Sequence, residues 1–331
     1  MFRTAPQRRS ATALRRAAEG QSVRTIVIAL VANVVIGIAK LIGGLVSGST
    51  GMLAEAAHSA ADSVNEIFLA IGLHRDRQPP DAAHPMGHGR ERFLWAFMAA
   101  IASFLIGGCV SIAMAIEALE ARHPVTGGIT AWVVLAVSFA ADGSSWMQSM
   151  RQARRQAKDY KISVWNYILR SSDPVVRAVV FEDSAALIGL CVAGGGLLLS
   201  RIFNTSVPDS LASLVIGLLM AVAAFGVARP FADFLVGRSV APQQFERLYA
   251  IVKEDPAIEH ILSLRAMYSG PEEVVVMAKV NLSPRLDAAQ LARAMDELDG
   301  RIRQALPLVA DVFIDVTASR AEEDSRAGTG D

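Results

Sequence analysis

The chain has 331 residues, of which 52% are hydrophobic and 19% charged, and its mean hydropathy is +0.36. Soluble chains carry about 25% charged residues, so the composition points to an integral membrane protein and away from an ordinary cytosolic enzyme. The 32 basic and 32 acidic residues cancel, which excludes a nucleic-acid binder held by bulk charge; Cys109 and Cys191, both in apolar runs, supply neither a disulfide framework nor a thiolate metal cluster.

The zero net charge hides two opposite halves. From residue 240 onward 16 acidic residues face 10 basic ones, a net of −6, and the remainder carries +6. Residues 1–24 form a polar, Arg-rich arm, expected to be cytoplasmic, although an Arg-rich, acid-poor head also fits a transit peptide. The apolar run behind it is too long for the core of a signal peptide.

Six stretches then approach the roughly 20 mostly apolar residues that span a bilayer. They run over 25–46, 51–73, 93–118, 128–147, 176–200 and 209–235, and make 25–238 a six-span, all-α transmembrane domain. Basic residues gather in the head, in the loop after span 2 (Arg75, Arg77, Arg90, Arg92) and in the loop after span 4 (Arg151, Arg154, Arg155, Lys158, Lys161, Arg170). The positive-inside rule puts both termini in the cytoplasm. Gly44 and Gly48 have the spacing of close helix packing in span 1.

Ionisable residues inside apolar spans are costly and each needs a reason. Span 2 carries Glu55, His58 and Asp62 at i, i+3 and i+7, on one helical face. His58 and Asp62 stand one turn apart, and an imidazole with a carboxylate suits a borderline cation such as zinc. The competing reading is a hydrogen-bonded pair that holds two helices together.

Span 5 carries Glu182 and Asp183 side by side, about 100° apart around a 3.6-residue helix. Asp183 is the ligand candidate, with Glu182 a second ligand or a proton carrier and Arg177 a plausible counter-ion for one of the two. Asp142 in span 4 is either a packing hydrogen bond or part of an ion path. Lys40 in span 1 is expected to pair with a carboxylate or to snorkel. In the loop after span 2, Asp81, His84 and His88 offer oxygen and nitrogen ligands for a second metal site, while capping of a turn is the competing use of Asp81.

Beyond the spans, 239–318 reads as a small cytoplasmic α+β domain. A helix is expected near 242–255, strands at Ile261–Met267 and Val274–Val280, a second helix at 287–305 and a strand at Asp311–Val316. That is the αββαβ order of a ferredoxin-like domain with helices on one face. Residues 319–331 are polar and expected to be disordered.

The six spans, the His58-x-x-x-Asp62 pair, the His84-Pro-Met-Gly-His88-Gly-Arg90 loop and the αββαβ tail together resemble the cation diffusion facilitator family over residues 25–317. The resemblance implies a homodimeric metal/proton antiporter with a tetrahedral site between spans 2 and 5 and a dimerising carboxy-terminal domain. His58, Asp62 and Asp183 match its ligand positions, and Asp81, His84 and His88 match loop positions that bind a second zinc in some members. The family usually places His or Asp four residues before the span-5 Asp; here that position is Val179, leaving three of four ligands unless Glu182 or water fills the place. The Glu182-Asp183 pair resembles one subfamily in particular. Many members carry histidines on the strands of the tail; here only His260 lies there, with Met277 and Asp315 at strand positions, so no zinc cluster is expected in the tail.

The expected function is efflux of a divalent cation, zinc first and iron, manganese, cobalt or cadmium after it, in exchange for protons, by alternating access across a bacterial inner membrane. His58, Asp62 and Asp183 are the leading metal ligands, Glu182 and Glu55 the secondary ones, with no catalytic residue and no resident cofactor. The expected partners are the metal, protons, the bilayer and a second copy of the chain. Two other classes are a metal-sensing receptor whose αββαβ domain is the output, and an intramembrane metalloenzyme, for which an HExxH motif is lacking.

Overall fold

The computed structural model describes residues 27–28, 30–121, 128–159, 163–164, 174–271, 273–282 and 287–317. The Arg-rich head, His123, Lys161, Arg170 and the acidic tail fall outside them, as do the side chains of Arg177 and Val179. The chain divides into two compact units: residues up to 74 with 94–232, and residues 75–93 with those from 233 onward.

The first unit is helical. Its elements are α1 (Leu30–Ser47), α2 (Thr50–Arg75), α3 (Glu91–Ala121), α4 (Ile129–Asp159), α5 (Pro174–Phe203) and α6 (Val207–Val236), the outer ends of α2, α3 and α6 belonging to the second unit. Five of these helices, all but α2, are long and apolar enough to cross a membrane. The remaining one, α2, has the length, 26 residues, but carries the polar ladder Glu55, His58, Asp62, Glu66.

The packing core joins Met52 and Ala54 of α2, Leu135 of α4, Leu190 and Leu197 of α5, and Ile216 and Met220 of α6. Apolar side chains also cover the outside: Leu45, Val222 and Phe225 are each about two-thirds exposed (66%, 71% and 69%). So large an apolar exterior suits hydrocarbon rather than water.

Two helices differ from their sequence expectation. α4 runs on through Arg151 and Arg154 to Asp159, well past the apolar run that announces it, because its last turns are polar but still good helix formers. α3 winds as a π-helix over Ser103–Val110, a rare geometry that often marks a functional place.

The short link between α1 and α2 corrects the reading of Gly48 as a packing glycine. Its φ of +66° places it in the left-handed region, where it ends α1 as a C-terminal cap. α2 is capped in turn by Asp209 at the start of α6. The Asp209 carboxylate accepts from Ser49 Oγ at 2.6 Å, from the Thr50 amide, and from the Gly51 amide at 3.2 Å. A buried carboxylate at a helix N-terminus satisfies donors that nothing in the helix can reach.

The second unit contains α7 (Pro242–Lys253), β1 (Ile258–Gly270), β2 (Glu273–Leu282), α8 (Ala288–Ala305) and β3 (Val309–Val316). The order αββαβ is the one expected, with strands extended by a few residues. β1 pairs antiparallel with β2, and β2 parallel with β3.

Alternation on β2 makes one face of the sheet. Val274, Val276 and Val280 are fully buried, with Leu248 and Val252 of α7 and Leu298 and Ile302 of α8 equally enclosed. Full burial of a Val or Leu side chain contributes about 1.5–3 kcal/mol, so this layer holds the domain together. α8 starts in a capping box, in which Asp287 accepts from the Gln290 amide at 2.8 Å and Gln290 Oε1 accepts from the Asp287 amide at 3.0 Å. His260 lies exposed on β1 beside Asn281, and Asp315 pairs across the ladder with Lys279, so these positions form no histidine cluster.

Candidate metal centre

In the helical unit the polar side chains of α2 sort into two groups. The first is centred on Lys40 of α1. Its Nζ donates to Glu55 Oε2 at 3.0 Å and lies 3.5 Å from Asp142 Oδ2 of α4, and both Lys40 and Glu55 are 1% exposed. Lys40 therefore pairs as the sequence suggests, and Glu55 and Asp142 are its partners.

The second group is His58, Asp62 and Glu182. His58 Nε2 stands 3.3 Å from Asp62 Oδ2, without hydrogen-bond geometry, and its Nδ1 is in close contact with Met220 Sδ of α6. Asp62 Oδ1 is buried with no partner. Glu182 reaches across from α5 to within hydrogen-bonding range of the Asp62 carboxyl. Asn65, one turn beyond Asp62, donates its amide to both Glu182 oxygens, at 3.0 and 3.2 Å. A small cavity of about 20 Å³ opens beside them, lined by Asn65, Ser103, Glu182, Ala224 and Met220.

Asp183 turns the other way. It accepts from Ser149 Oγ at 2.8 Å and from Ser145 Oγ at 3.4 Å, both on α4. The structure thus brings Glu182, not Asp183, to Asp62. The rotation of α5 decides this, and a pair of adjacent carboxylates cannot reveal it. Asn65 and Met220 carry no charge, and nothing in the sequence singles them out as neighbours of the pair.

Two carboxyls in hydrogen-bonding range must share a proton or a cation. The imidazole nitrogen of His58 beside the Asp62 carboxylate, 3.3 Å away, is the kind of N and O donor pair that an ion of zinc-like character takes.

The second unit holds the loop group. Asp81, His84 and His88 each offer a ligand atom, all within 4.8 Å of one another. Asp81 Oδ1 accepts from the amides of Ala83 and His84, at 2.8 and 2.6 Å, so the turn and the metal-ligand uses of Asp81 coexist. Its Oδ2 lies 3.2 Å from His88 Nε2. The imidazoles of His84 and His88 stand 4.3 Å apart, centroid to centroid.

Backbone donation from His84 pulls the Asp81 carboxyl down to about 2, so it is an anion at any ordinary pH. The hydrogen bond with Glu91 raises the His88 imidazole, assisted by Asp81. Glu91 Oε1 stands 2.8 Å from His88 Nδ1, an outer carboxylate that orients a ligand imidazole and leaves Nε2 toward Asp81. Its i+3 spacing from His88 is the sequence signal that could have found it.

The loop is seated on the β1–β2 turn. A Cβ on Gly89 would stand 3.0 Å from both Gly270 Cα and the Ser269 carbonyl oxygen, so only glycine lets the two backbones approach. Phe93 stacks on Phe234 at 4.6 Å, and Phe234 meets the Tyr268 ring edge at 5.4 Å. Nearby, Asp76 accepts from Arg92 at 3.3 Å, and burial raises its carboxyl against that pairing.

Helices with an apolar exterior and a buried, acid-rich polar ladder define a multi-pass membrane protein of the transporter kind. Residues 26–236 match the family model described as the cation efflux transmembrane domain, and the chain belongs to that family. It is 29% identical over 247 residues to the mitochondrial proton-coupled zinc antiporter SLC30A9 of Xenopus laevis, covering 75% of this chain and 44% of that protein. The match to metal tolerance protein C4 of Arabidopsis thaliana is 28% over 240 residues, 72% of this chain and 52% of that one. The manganese efflux system protein MneP of Bacillus subtilis is 25% identical over 297 residues, 87% of this chain and 93% of its own. The chain spans less than half the length of the zinc antiporter it matches.

Proposed function

We propose that the chain is a divalent metal efflux transporter that exchanges zinc for protons. The observation that carries this reading is the meeting of the buried His58 with the half-buried Asp62 and Glu182 on α2 and α5. Protons and metal compete for the same atoms there, so loading an ion releases protons and protonation releases the ion. Zinc suits a mixed imidazole and carboxylate set, and relatives named as a zinc antiporter and a manganese efflux protein support a divalent substrate.

In this reading α2 is a sixth span beside the five apolar helices. Its cost in hydrocarbon is offset because its charged groups face partners rather than lipid. Residues 25–238 form the transport domain, 239–318 a ferredoxin-like domain and 1–24 an arm, with both termini on the cytoplasmic side of a bacterial inner membrane. The protein works as a homodimer. Asp81, His84 and His88 form a second, cytoplasmic metal site. Glu182 completes the membrane site in this conformation, while Asp183 is held by α4 and is free to join when α5 turns.

The test is zinc transport in proteoliposomes under a pH gradient. His58→Ala and Asp62→Ala are expected to abolish proton-driven uptake of zinc. Wild-type rates in either variant would overturn the reading.

A further inference from the structure

Lys40 is an unusual residue to enclose in an apolar helix. It is 1% exposed and binds two helices at once, through Glu55 on α2 and Asp142 on α4. Glu55 lies one turn before His58, on the face that carries His58 and Asp62. Lys40 also lies within electrostatic range of His58 and Asp62.

We propose that Lys40 determines metal specificity by withholding Glu55 and Asp142 from the transported ion. This rests on the membrane site of His58, Asp62 and Glu182 proposed above. With Lys40 in place, two nearby carboxylates are occupied by an ammonium group, and the ion meets one nitrogen and few oxygens. That donor set favours zinc, with its low coordination number and its taste for imidazole. Without Lys40 the same space holds two freed carboxylates. An oxygen-rich, higher-coordinate site suits manganese or another hard divalent ion. Lys40 touches no substrate in this arrangement. It acts by occupying alternatives, and an arginine can do the same because it too is a cation with several donors. The charged and titratable groups around Lys40 are Glu55, His58 and Asp62 on α2 and Asp142 on α4.

The test compares KM for zinc and for manganese in proteoliposomes of the full chain. Lys40→Gln is expected to lower the ratio of KM for manganese to KM for zinc by about tenfold, the scale on which groups next to a ligand tune a metal site. Lys40→Arg should restore the wild-type ratio. The triple variant Lys40→Gln, Glu55→Gln, Asp142→Asn should restore it as well, because the freed carboxylates are gone. A purely structural lysine would alter maximal rate or yield for both metals alike, and an unchanged ratio in Lys40→Gln overturns the proposal. So does a triple variant that keeps the altered ratio. If Lys40→Gln does not fold, Lys40→Gln with Glu55→Gln removes one charge of each sign and leaves Asp142 free; that variant must still move toward manganese. Retained zinc transport in His58→Ala would refute the site itself and is read separately.

Discussion

Asn65 holds Glu182 by both carboxylate oxygens, at 3.0 and 3.2 Å, and so aims an α5 side chain at the α2 pair. An uncharged amide does this without competing for the metal. Asn65→Ala removes two charge-assisted hydrogen bonds and is expected to raise the KM for zinc about tenfold with little change in yield. Asn65→Asp adds a like charge beside Glu182 and should be worse than alanine. Initial-rate transport measurements over a range of zinc concentrations check both.

The orientation of α5 separates its two acidic residues. Glu182→Gln is expected to cost more zinc affinity than Asp183→Asn in the state described here, because only Glu182 reaches Asp62. Zinc competition against a fluorescent chelator, measured on the detergent-solubilised protein with Asp81 and His84 replaced by alanine, gives the comparison. Equal losses would mean that Asp183 turns in when the ion binds.

Glu91 orients His88 and raises its imidazole. The sign follows from competition: a raised imidazole stays protonated to higher pH, so metal binding at the loop weakens on acidification from a higher pH than for an ordinary histidine. Glu91→Gln should therefore lower loop affinity about tenfold at alkaline pH and also move the acid midpoint downward. Calorimetric zinc titrations at several pH values, with His58 and Asp62 replaced by alanine, read both effects.

Asp209 is a structural carboxylate at the start of α2. Asp209→Asn exchanges an anion for a neutral amide opposite the Ser49 hydroxyl and two backbone amides, and should destabilise the helical unit by about 2 kcal/mol. A lower melting temperature in detergent, without a change in the zinc-to-manganese ratio, is the expected result.

Much of this was legible in the chain. The αββαβ domain announced itself through β-rich runs flanked by the helices expected near 242–255 and 287–305. The ladder of Glu55, His58 and Asp62 stood out because charges in apolar runs are costly. What could not be read was which partner each charge takes. Glu55 sits on the same face as His58 yet belongs to Lys40, 15 residues earlier. The adjacent acids of α5 point to different helices, which depends on rotation by a fraction of a turn. Gly48 matched a packing motif, and only its φ of +66° reveals a helix end. Nor does the sequence mark the π-helical turn at Ser103–Val110, within which Gly108 packs closely against Ala221.

The Lys40–Glu55 pair also bears on how the protein enters the bilayer. A lysine or an acidic residue at the centre of a lone inserting helix costs about 2.5–3.5 kcal/mol. α1 and α2 are joined by only Gly48 and Ser49, so the two charges can meet before either helix is released sideways into lipid. The hairpin, rather than the single helix, becomes the unit of insertion. Lengthening that turn would separate the steps and expose α2, the one of the six helices too polar to cross a membrane on length and composition alone, to retention in the aqueous channel of the insertion machinery.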